Sequence, residues 1–236
     1  MRHEAAAEDT PTERAIQPYR PLPRGRHGLP REEVTESQRT RIIDSMVSAV
    51  ADRGYGETRV VDVVERAGVS RATFYDLFDD LEDCFLATYD HVSARVLETA
   101  TAGFNERPDA AWPERVRAAT AAVLELYASW PEGARFATVE VLAAGPNALL
   151  RRDGAMRRLA ELVDTGRDEL GVELPDGVSL AIMGGIQELL LAELISGEAS
   201  ELPSRAPEIV YWIALPFLGP EAAAAERDRA RGLLHA

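Results

Sequence analysis

Residues 57–78 constrain the fold of this chain more than any other segment, because they predict two short helices joined by a tight turn. Apolar residues recur at helical spacing from Val60 to Ala67, so the first helix is expected to bury one face. Thr58 precedes this pattern as a candidate N-cap. Gly68 follows it, at a position where a helix end favours a residue that adopts a positive φ. The first helix is therefore predicted to end at Ala67.

The second helix of this segment is predicted to expose one short face. Ser70 stands at its start as an N-cap, and Phe74 and Phe78 form the stripe that packs inward. Two such helices, the second with an exposed N-terminal half, form the helix-turn-helix that enters the major groove of DNA. An ordinary helical corner with polar surface residues fits the same pattern. The outer face carries Arg71, Ala72, Thr73, Tyr75 and Asp76.

The twelve residues from Ala67 to Phe78, Ala-Gly-Val-Ser-Arg-Ala-Thr-Phe-Tyr-Asp-Leu-Phe, resemble the signature of the TetR family of bacterial one-component regulators. The preceding helical segment, Gln38 to Arg53, and the Gly-Tyr-Gly-Glu-Thr that follows it are similar to that family as well. The resemblance covers roughly residues 38–86. It implies a homodimer that binds an operator in double-stranded DNA and, in its C-terminal domain, a small-molecule effector.

The resemblance also implies roles for single residues of the two helices. Thr73 and Tyr75 fall where the family contacts phosphates, which fixes register without reading sequence. Arg71 and Ala72 fall where the family reads base edges, through guanine acceptors and a thymine methyl group. Arg59, at the start of the first helix, is expected to contact a phosphate.

Three further positions in or near the second helix bear on DNA binding. Asp76 can accept a hydrogen bond from cytosine or pair with a neighbouring arginine, and the sequence leaves both open. Ser70 is included among the expected DNA-binding residues because it caps the helix. Leu81 stands where the family commonly has lysine, so one phosphate contact is missing.

Residues 1–35 are predicted to form a flexible arm rich in arginine and proline, because they show no apolar periodicity. Arg24 and Arg26 alternate there with proline and glycine. Arms of this kind lie in narrow minor grooves, where the negative potential attracts arginine. A solvated tail is the alternative, and we leave both open.

The sequence predicts an all-α fold in which residues 36–82 form a three-helix DNA-binding domain and residues 83–236 an effector-binding and dimerisation domain. No strand-like alternation and no internal repeat occur along the chain. The helices expected after the motif run over residues 80–103, 113–129, 131–144, 147–170, 176–196 with Asp176 as cap, 206–218, and 221–234, the last a charged tail with little core.

Two of these helices, residues 178–195 and 209–217, are apolar nearly all round, so both of their sides must be covered. The resemblance implies that the last two long helices pack against the second subunit. Burial inside one subunit is the alternative. The residues expected at the dimer interface are Met183, Gly184, Ile186, Leu190, Tyr211 and Trp212.

The sequence indicates the position of the effector pocket much less clearly than that of the DNA-binding helix. The resemblance places it among the C-terminal helices, where apolar side chains and a few polar groups form small-molecule sites. No ligand class is indicated, and each candidate also fits an ordinary core or surface position. The candidates are Tyr127, Trp130, Phe136, Glu140, Met156 and Gln187.

The charge distribution is compatible with DNA binding despite a net charge of −14. Residues 14–41 hold seven arginines against three glutamates, a local balance of +4. Attraction to phosphates acts over about a Debye length, so this local patch matters more than the total. All 26 basic residues are arginine.

Other function classes find little support in the sequence. Cys84 is the only cysteine, which excludes an intrachain disulfide and a thiolate metal cluster, and as a small apolar residue on a helix it is expected to pack in the core. No phosphate loop, nucleophile elbow or Cys–His spacing occurs, so neither an enzyme nor a cofactor or metal site is expected. The longest apolar segment is interrupted by Gln187, Glu188 and Glu193, and the acidic N-terminus lacks the apolar run of a signal peptide, so we expect a cytoplasmic protein.

The sequence therefore favours a DNA-binding transcriptional regulator, specifically a repressor released by a small-molecule effector. The alternatives are an activator or a ligand-independent DNA-binding protein and, much less favoured, a small-molecule enzyme.

Overall fold

The computed structural model describes residues 30–233, and within that range it contains α-helices and short 3-10 turns but no strand. This confirms the all-α prediction. The 3-10 turns are Tyr55–Glu57, Glu140–Leu142 and Ala199–Arg205. The helices are α1 (Arg31–Arg53), α2 (Val60–Ala67), α3 (Arg71–Tyr75), α4 (Leu81–Asn105), α5 (Trp112–Ser129), α6 (Pro131–Thr138), α7 (Pro146–Leu170), α8 (Val178–Ser196) and α9 (Ala206–Leu233).

Helix α1 begins at Arg31, earlier than the sequence pattern indicated. The helix therefore includes the last five residues of the predicted arm, residues 31–35. Its first turns carry no apolar stripe, but Glu32 and Glu33 lie in the first turn, where a negative charge stabilises the helix dipole. Periodicity could not reveal a segment that is helical without burying a face.

Two predicted caps are wrong. Helix α2 is preceded by Arg59, whose backbone N–H donates to the Asp62 carboxylate at 2.9 Å. Thr58 instead donates its hydroxyl to the carbonyl of Gly54 at 2.8 Å and so closes the turn before the helix. Helix α8 starts after Gly177, without a side-chain cap from Asp176.

The predicted DNA-binding module, α1 to α3, shares its apolar core with the start of α4 and with α6. Phe74 of α3 is fully buried in this core. Phe85 of α4 stacks on Phe136 of α6 with ring centroids 4.5 Å apart, and its edge meets Tyr55 at 4.6 Å. The core of the module therefore extends past residue 82, the boundary expected from the sequence.

A second core fills the C-terminal bundle, where α4 and α5 pair along their length and α9, α7 and α8 pack around them. Gly166 of α7 lies so close to Trp112 of α5 that a Cβ there would stand 2.5 Å from the indole ring. The missing side chain at Gly166 leaves room for the Trp112 ring. This packing surrounds the cavity described below.

Helix α9 continues to Leu233 through a break at Gly219, which has a φ of 77°. The segment after the break is not a tail with little core, as the sequence suggested. Ala223 is fully buried, and Glu226 is buried in ion pairs with Arg117 and Arg229. The charged composition concealed this packing because the charges are paired against the bundle.

Candidate nucleic-acid interface and ligand cavity

Helix α3 is held rigidly on its inner side and capped at its start. The Ser70 hydroxyl accepts a hydrogen bond from the backbone N–H of Thr73 at 3.0 Å, and the two hydroxyls lie 2.9 Å apart. Phe74 anchors the helix in the core and meets Phe78 at 5.6 Å between ring centroids. A helix of five residues, which cannot persist alone, is thereby fixed in one orientation.

The outer face of α3 is open to solvent. Arg71, Ala72 and Asp76 are exposed, and Thr73 is half-buried. Tyr75 is 56% exposed, and its ring stands edge-on against Phe74 at 5.4 Å. This places guanidinium, methyl and hydroxyl groups side by side, which are the groups that contact base edges and phosphates in a major groove.

Arg59 and Asp76 complete this surface in different ways. Arg59 keeps 70% of its side chain exposed although it lies 3.5 Å from the Asp62 carboxylate. The backbone N–H of Arg59 and the charges of Arg53 and Arg59 lower the pKa of Asp62, so this carboxylate stays ionised and holds the start of α2. Asp76 makes no ion pair within residues 30–233. Arg24 and Arg26 lie outside the described residues.

Two arginines that the sequence reasoning counted only as charge have structural contacts at this module. Arg39 lies over the Phe78 ring, 4.8 Å from its centroid. Arg41 donates to the carbonyl of Ala67 at 3.1 Å and so satisfies the end of α2. Cation–π and helix-end contacts depend on how the helices pack, so no local sequence pattern predicts them.

An apolar cavity of about 110 Å³ lies inside the C-terminal bundle, between α4, α5, α7, α8 and α9. Of the six candidate effector residues, Tyr127, Met156 and Gln187 line it. Met183, Ile186 and Leu190, expected at the dimer interface, line it as well, and Ile186 and Leu190 are buried. The inner side of α8 thus forms a wall of the cavity.

The other three candidates lie between the cavity and the DNA-binding module. Trp130 is covered by the Arg95 guanidinium, 4.5 Å from the ring centroid, and Phe136 stacks on Phe85. Glu140 is 8% exposed and accepts a hydrogen bond from the backbone N–H of Tyr55 at 3.1 Å. None of the three lines the cavity.

These contacts connect helix α8 with the DNA-binding module. Arg135 of α6 donates to the Glu140 carboxylate at 3.3 Å and to the carbonyl of Leu194 at 2.8 Å. Leu194 lies one turn beyond Leu190 of the cavity wall. Tyr55 stands between α1 and α2. A hydrogen-bonded path therefore runs from the cavity wall to the turn that precedes the helix-turn-helix.

The outer side of α8 carries small and apolar residues that no other described segment covers. Exposed along it are Ala181, Gly185, Ala192 and Ile195, with one charged residue, Glu188, between them. Gly184 and Tyr211 are half-buried, and Trp212 of α9 is 39% exposed. The apolar sequence of α8 is thus explained on its inner side by the cavity and left unpartnered on its outer side within a single chain.

By length and composition alone, α8 also fits a membrane-crossing helix. Its contacts are those of a helix within a folded domain. It packs on α6, α7 and α9, and Gln187 lies in the cavity wall. Glu193 forms an ion pair with Arg205.

Comparison with known proteins agrees with this architecture. Residues 42–88 match the family model described as bacterial regulatory proteins, tetR family. The match spans α1 from its first buried residue to the first turns of α4, and so contains α2 and α3. Among curated proteins, no sequence matches this chain.

Solved structures share the fold at low identity. The fatty acid degradation regulator FadR from Bacillus halodurans has a TM-score of 0.65 at 19% identity, over 74% of this chain and 96% of that one. FadR from Bacillus subtilis, solved with stearoyl-CoA, has a TM-score of 0.65 at 18% identity, over 76% and 98%. A TetR family regulator from Marinobacter aquaeolei VT8 has a TM-score of 0.58 at 23% identity, over 84% and 96%.

Proposed function

We propose that this chain, which belongs to the tetR family of bacterial regulatory proteins, is a repressor that a small-molecule effector releases from its operator. The observation that carries the proposal is the pairing of two features in one chain. Helix α3 presents an exposed, capped face of charged and hydrogen-bonding groups, and the C-terminal bundle contains an apolar cavity that is partly open to solvent. A transcription regulator that senses a metabolite needs both.

On the DNA side, the proposed contacts sort by chemistry. Arg71 and Ala72 read base edges, while Thr73, Tyr75 and Arg59 hold phosphates. Ser70 caps α3 and so supports the orientation in which these residues meet DNA. The charge around α3 is not uniformly positive, because Asp76 and Asp79 are exposed beside it. Affinity therefore depends on a few placed contacts rather than on a broad basic surface.

The proposed active form is a homodimer in which the outer sides of α8 and α9 meet their counterparts. The small residues Ala181, Gly185 and Ala192 would allow close approach of two helices, and Trp212 would be covered. Two recognition helices related by a two-fold axis read half-sites about 34 Å apart, which one short helix cannot do alone. Such a protein works in the cytoplasm, where its operator is.

The proposed effector occupies the apolar cavity. The Bacillus subtilis FadR structure, which shares the fold, was solved in complex with stearoyl-CoA, and this supports the proposal that the present chain binds a small molecule. A ligand that favours one placement of α8 would act through Leu194, Arg135 and Glu140 on Tyr55 and also through α4. By thermodynamic linkage, the operator and the ligand then weaken each other equally.

The test begins with selection of bound duplexes from a random pool by the full chain. The selected sequence should be a palindrome with half-sites about one helical turn apart. A reporter driven by a promoter carrying that sequence should rise when the gene is deleted. Selection of no sequence would contradict the proposal, and a reporter that falls would make the protein an activator.

A further inference from the structure

The ligand cavity adjoins a second, smaller chamber on the side of the DNA-binding module. The smaller chamber holds about 30 Å³ and includes Tyr89 and Ala137, which belong to the core shared with that module. Because the same side chains border both spaces, a molecule in one contacts the wall of the other. The shared residues are Val96, Tyr127, Met156, Leu159 and Gln187.

The two spaces differ in chemistry. The larger cavity is lined by aliphatic and aromatic side chains, and its polar groups, Thr120, Tyr127 and Gln187, are uncharged. The smaller chamber adds Tyr89, Ser93 and Arg152. Arg152 is the one charged residue that lines either space in the part of the chain that the structure describes.

The guanidinium of Arg152 lacks the partners that its neighbours have. Its Nε atom is buried and makes no hydrogen bond within residues 30–233, and the side chain forms no ion pair there. Arg151 pairs with Asp90, and Arg157 pairs with Asp153. The Asp90 and Asp153 carboxylates are thus paired with other arginines. A buried N–H donor without a partner is a costly state that a ligand acceptor relieves.

Helix α7 carries the charged residue of the smaller chamber and apolar residues of the cavity wall on one face. Arg152, Met156 and Leu159 are spaced at i, i+4 and i+7, so they share one face of the helix. At a rise of about 1.5 Å per residue, the backbone positions of Arg152 and Leu159 lie roughly 10 Å apart along the helix axis. A molecule with a charged head and an apolar tail of that length matches both ends.

We propose that the effector is an anionic amphiphile, whose carboxylate or phosphate oxygens accept hydrogen bonds from Arg152 while its tail fills the larger cavity. This rests on the proposed function, and it assigns a ligand class to the same cavity. The charge-assisted hydrogen bond satisfies the Arg152 Nε, which an uncharged tail cannot reach. An amine of the same length would be repelled by the guanidinium.

The experiment uses the full chain and matched hexyl, octyl and decyl series of carboxylates, phosphates, alcohols and amines. Binding is measured by calorimetry at neutral pH, where the carboxylates are ionised. At least one anionic series should bind roughly tenfold or more tightly than the alcohols of equal length, and the amines should bind weakest. The tighter of the two anionic series tells a carboxylate effector from a phosphate.

Three variants assign the effect to its residue. Arg152→Met should weaken anion binding by roughly tenfold to a hundredfold and leave alcohol binding unchanged, because only the charged contact is removed. Arg152→Lys should retain part of the affinity, since it keeps the charge but not the Nε geometry. Arg157→Met, on the same helix but exposed and paired with Asp153, is the matched control and should change nothing.

Equal affinity for anions and alcohols, no binding of any anion, or unchanged anion binding by Arg152→Met would overturn the proposal. If Arg152→Met does not fold, the comparison of anions with alcohols on the natural chain decides. Each of these results leaves DNA binding untouched, so it is distinguishable from a failure of the repressor proposal. That failure would appear as anion binding at Arg152 with no effect on operator affinity.

Discussion

The Glu140 carboxylate accepts a hydrogen bond from the backbone N–H of Tyr55 at 3.1 Å, across 85 residues of sequence. The same carboxylate accepts a hydrogen bond from the Arg135 guanidinium, which also donates to the carbonyl of Leu194 on α8. Glu140 therefore links the C-terminal bundle to the turn between α1 and α2 through these hydrogen bonds. We expect it to transmit ligand binding to the DNA-binding helix.

Replacement of this carboxylate should uncouple ligand from operator. Glu140→Gln removes the charge that attracts Arg135, and we expect the ligand-induced change in operator affinity to shrink by about 0.5–2 kcal/mol. Operator titrations by fluorescence anisotropy, with and without a cavity ligand, measure this change. Glu132→Gln is the control, because Glu132 also bridges to the module, through Ser48 at 3.0 Å, but is exposed. Equal loss in both variants would argue against a specific role of Glu140.

The contact of the Trp112 ring with Gly166 predicts opposite results for two glycines of one helix. Gly166→Ala would place a Cβ 2.5 Å from the Trp112 ring, and we expect a loss of about 1–3 kcal/mol in the free energy of unfolding. Gly154→Ala, with nothing within 4 Å of the added carbon, should be neutral or stabilising by up to about 1 kcal/mol. Urea denaturation of both variants checks this, and equal effects would contradict the described packing.

The cap of α3 should carry a measurable share of its stability. Ser70→Ala removes the acceptor for the Thr73 backbone N–H, and we expect a cost of about 1 kcal/mol. Operator affinity should fall with it, because a frayed α3 must be reordered on binding. Ser70→Thr keeps a hydroxyl and should retain most of both properties. Chemical denaturation measures the stability and anisotropy titration measures the operator affinity. An alanine variant as stable as the natural chain would contradict this prediction.

Buried thiol and phenol groups predict a loss of stability at alkaline pH. Burial raises the pKa of Cys84 from 9.0 to about 12 and the pKa of Tyr127 from 10.0 to about 12. A pKa raised by folding means that the native state holds its proton longer. The stability it contributes is therefore full below the unfolded pKa and is lost as pH rises through the window from about 9 to 12.

Thermal unfolding as a function of pH measures this loss, and Cys84→Ala should flatten its first part. Because the Cys84 thiol is fully buried and its pKa is raised, a thiol reagent should label it only in denaturant. Rapid labelling of the native chain, or stability that rises above pH 9, would contradict the burial of this group.

Local signals in the sequence were sufficient for the helix-turn-helix. Ser70 as the cap and Phe74 as the anchor follow from residues three or four positions apart, and the structure has both. Thr58 failed as a cap because the choice between it and Arg59 depends on where Asp62 finds its donor. Apolar periodicity could not predict the start of α1, because charged residues and not an apolar stripe stabilise its first turns.

Tertiary packing decided what periodicity could not. Tyr127 and Phe136 are both aromatic residues of apolar helical segments, yet one lines the cavity and the other fills the junction with the DNA-binding module. The resemblance and the apolar character of α8 predict Ile186 and Leu190 at a subunit interface, and in the single chain both residues line the cavity. An apolar sequence on every side of a helix predicts that the helix is covered, but it does not show whether the cavity, the same chain or a second subunit covers it.

The central claim is that the exposed face of α3 reads base pairs, and one set of anisotropy titrations tests it most directly. The natural chain, Arg71→Ala and Tyr75→Phe are each titrated against the selected operator and against duplexes altered at one base pair at a time. We predict that Arg71→Ala loses about 1–3 kcal/mol of discrimination at a single position, while Tyr75→Phe weakens binding to all duplexes alike. Undiminished affinity and unchanged discrimination in both variants would contradict the account.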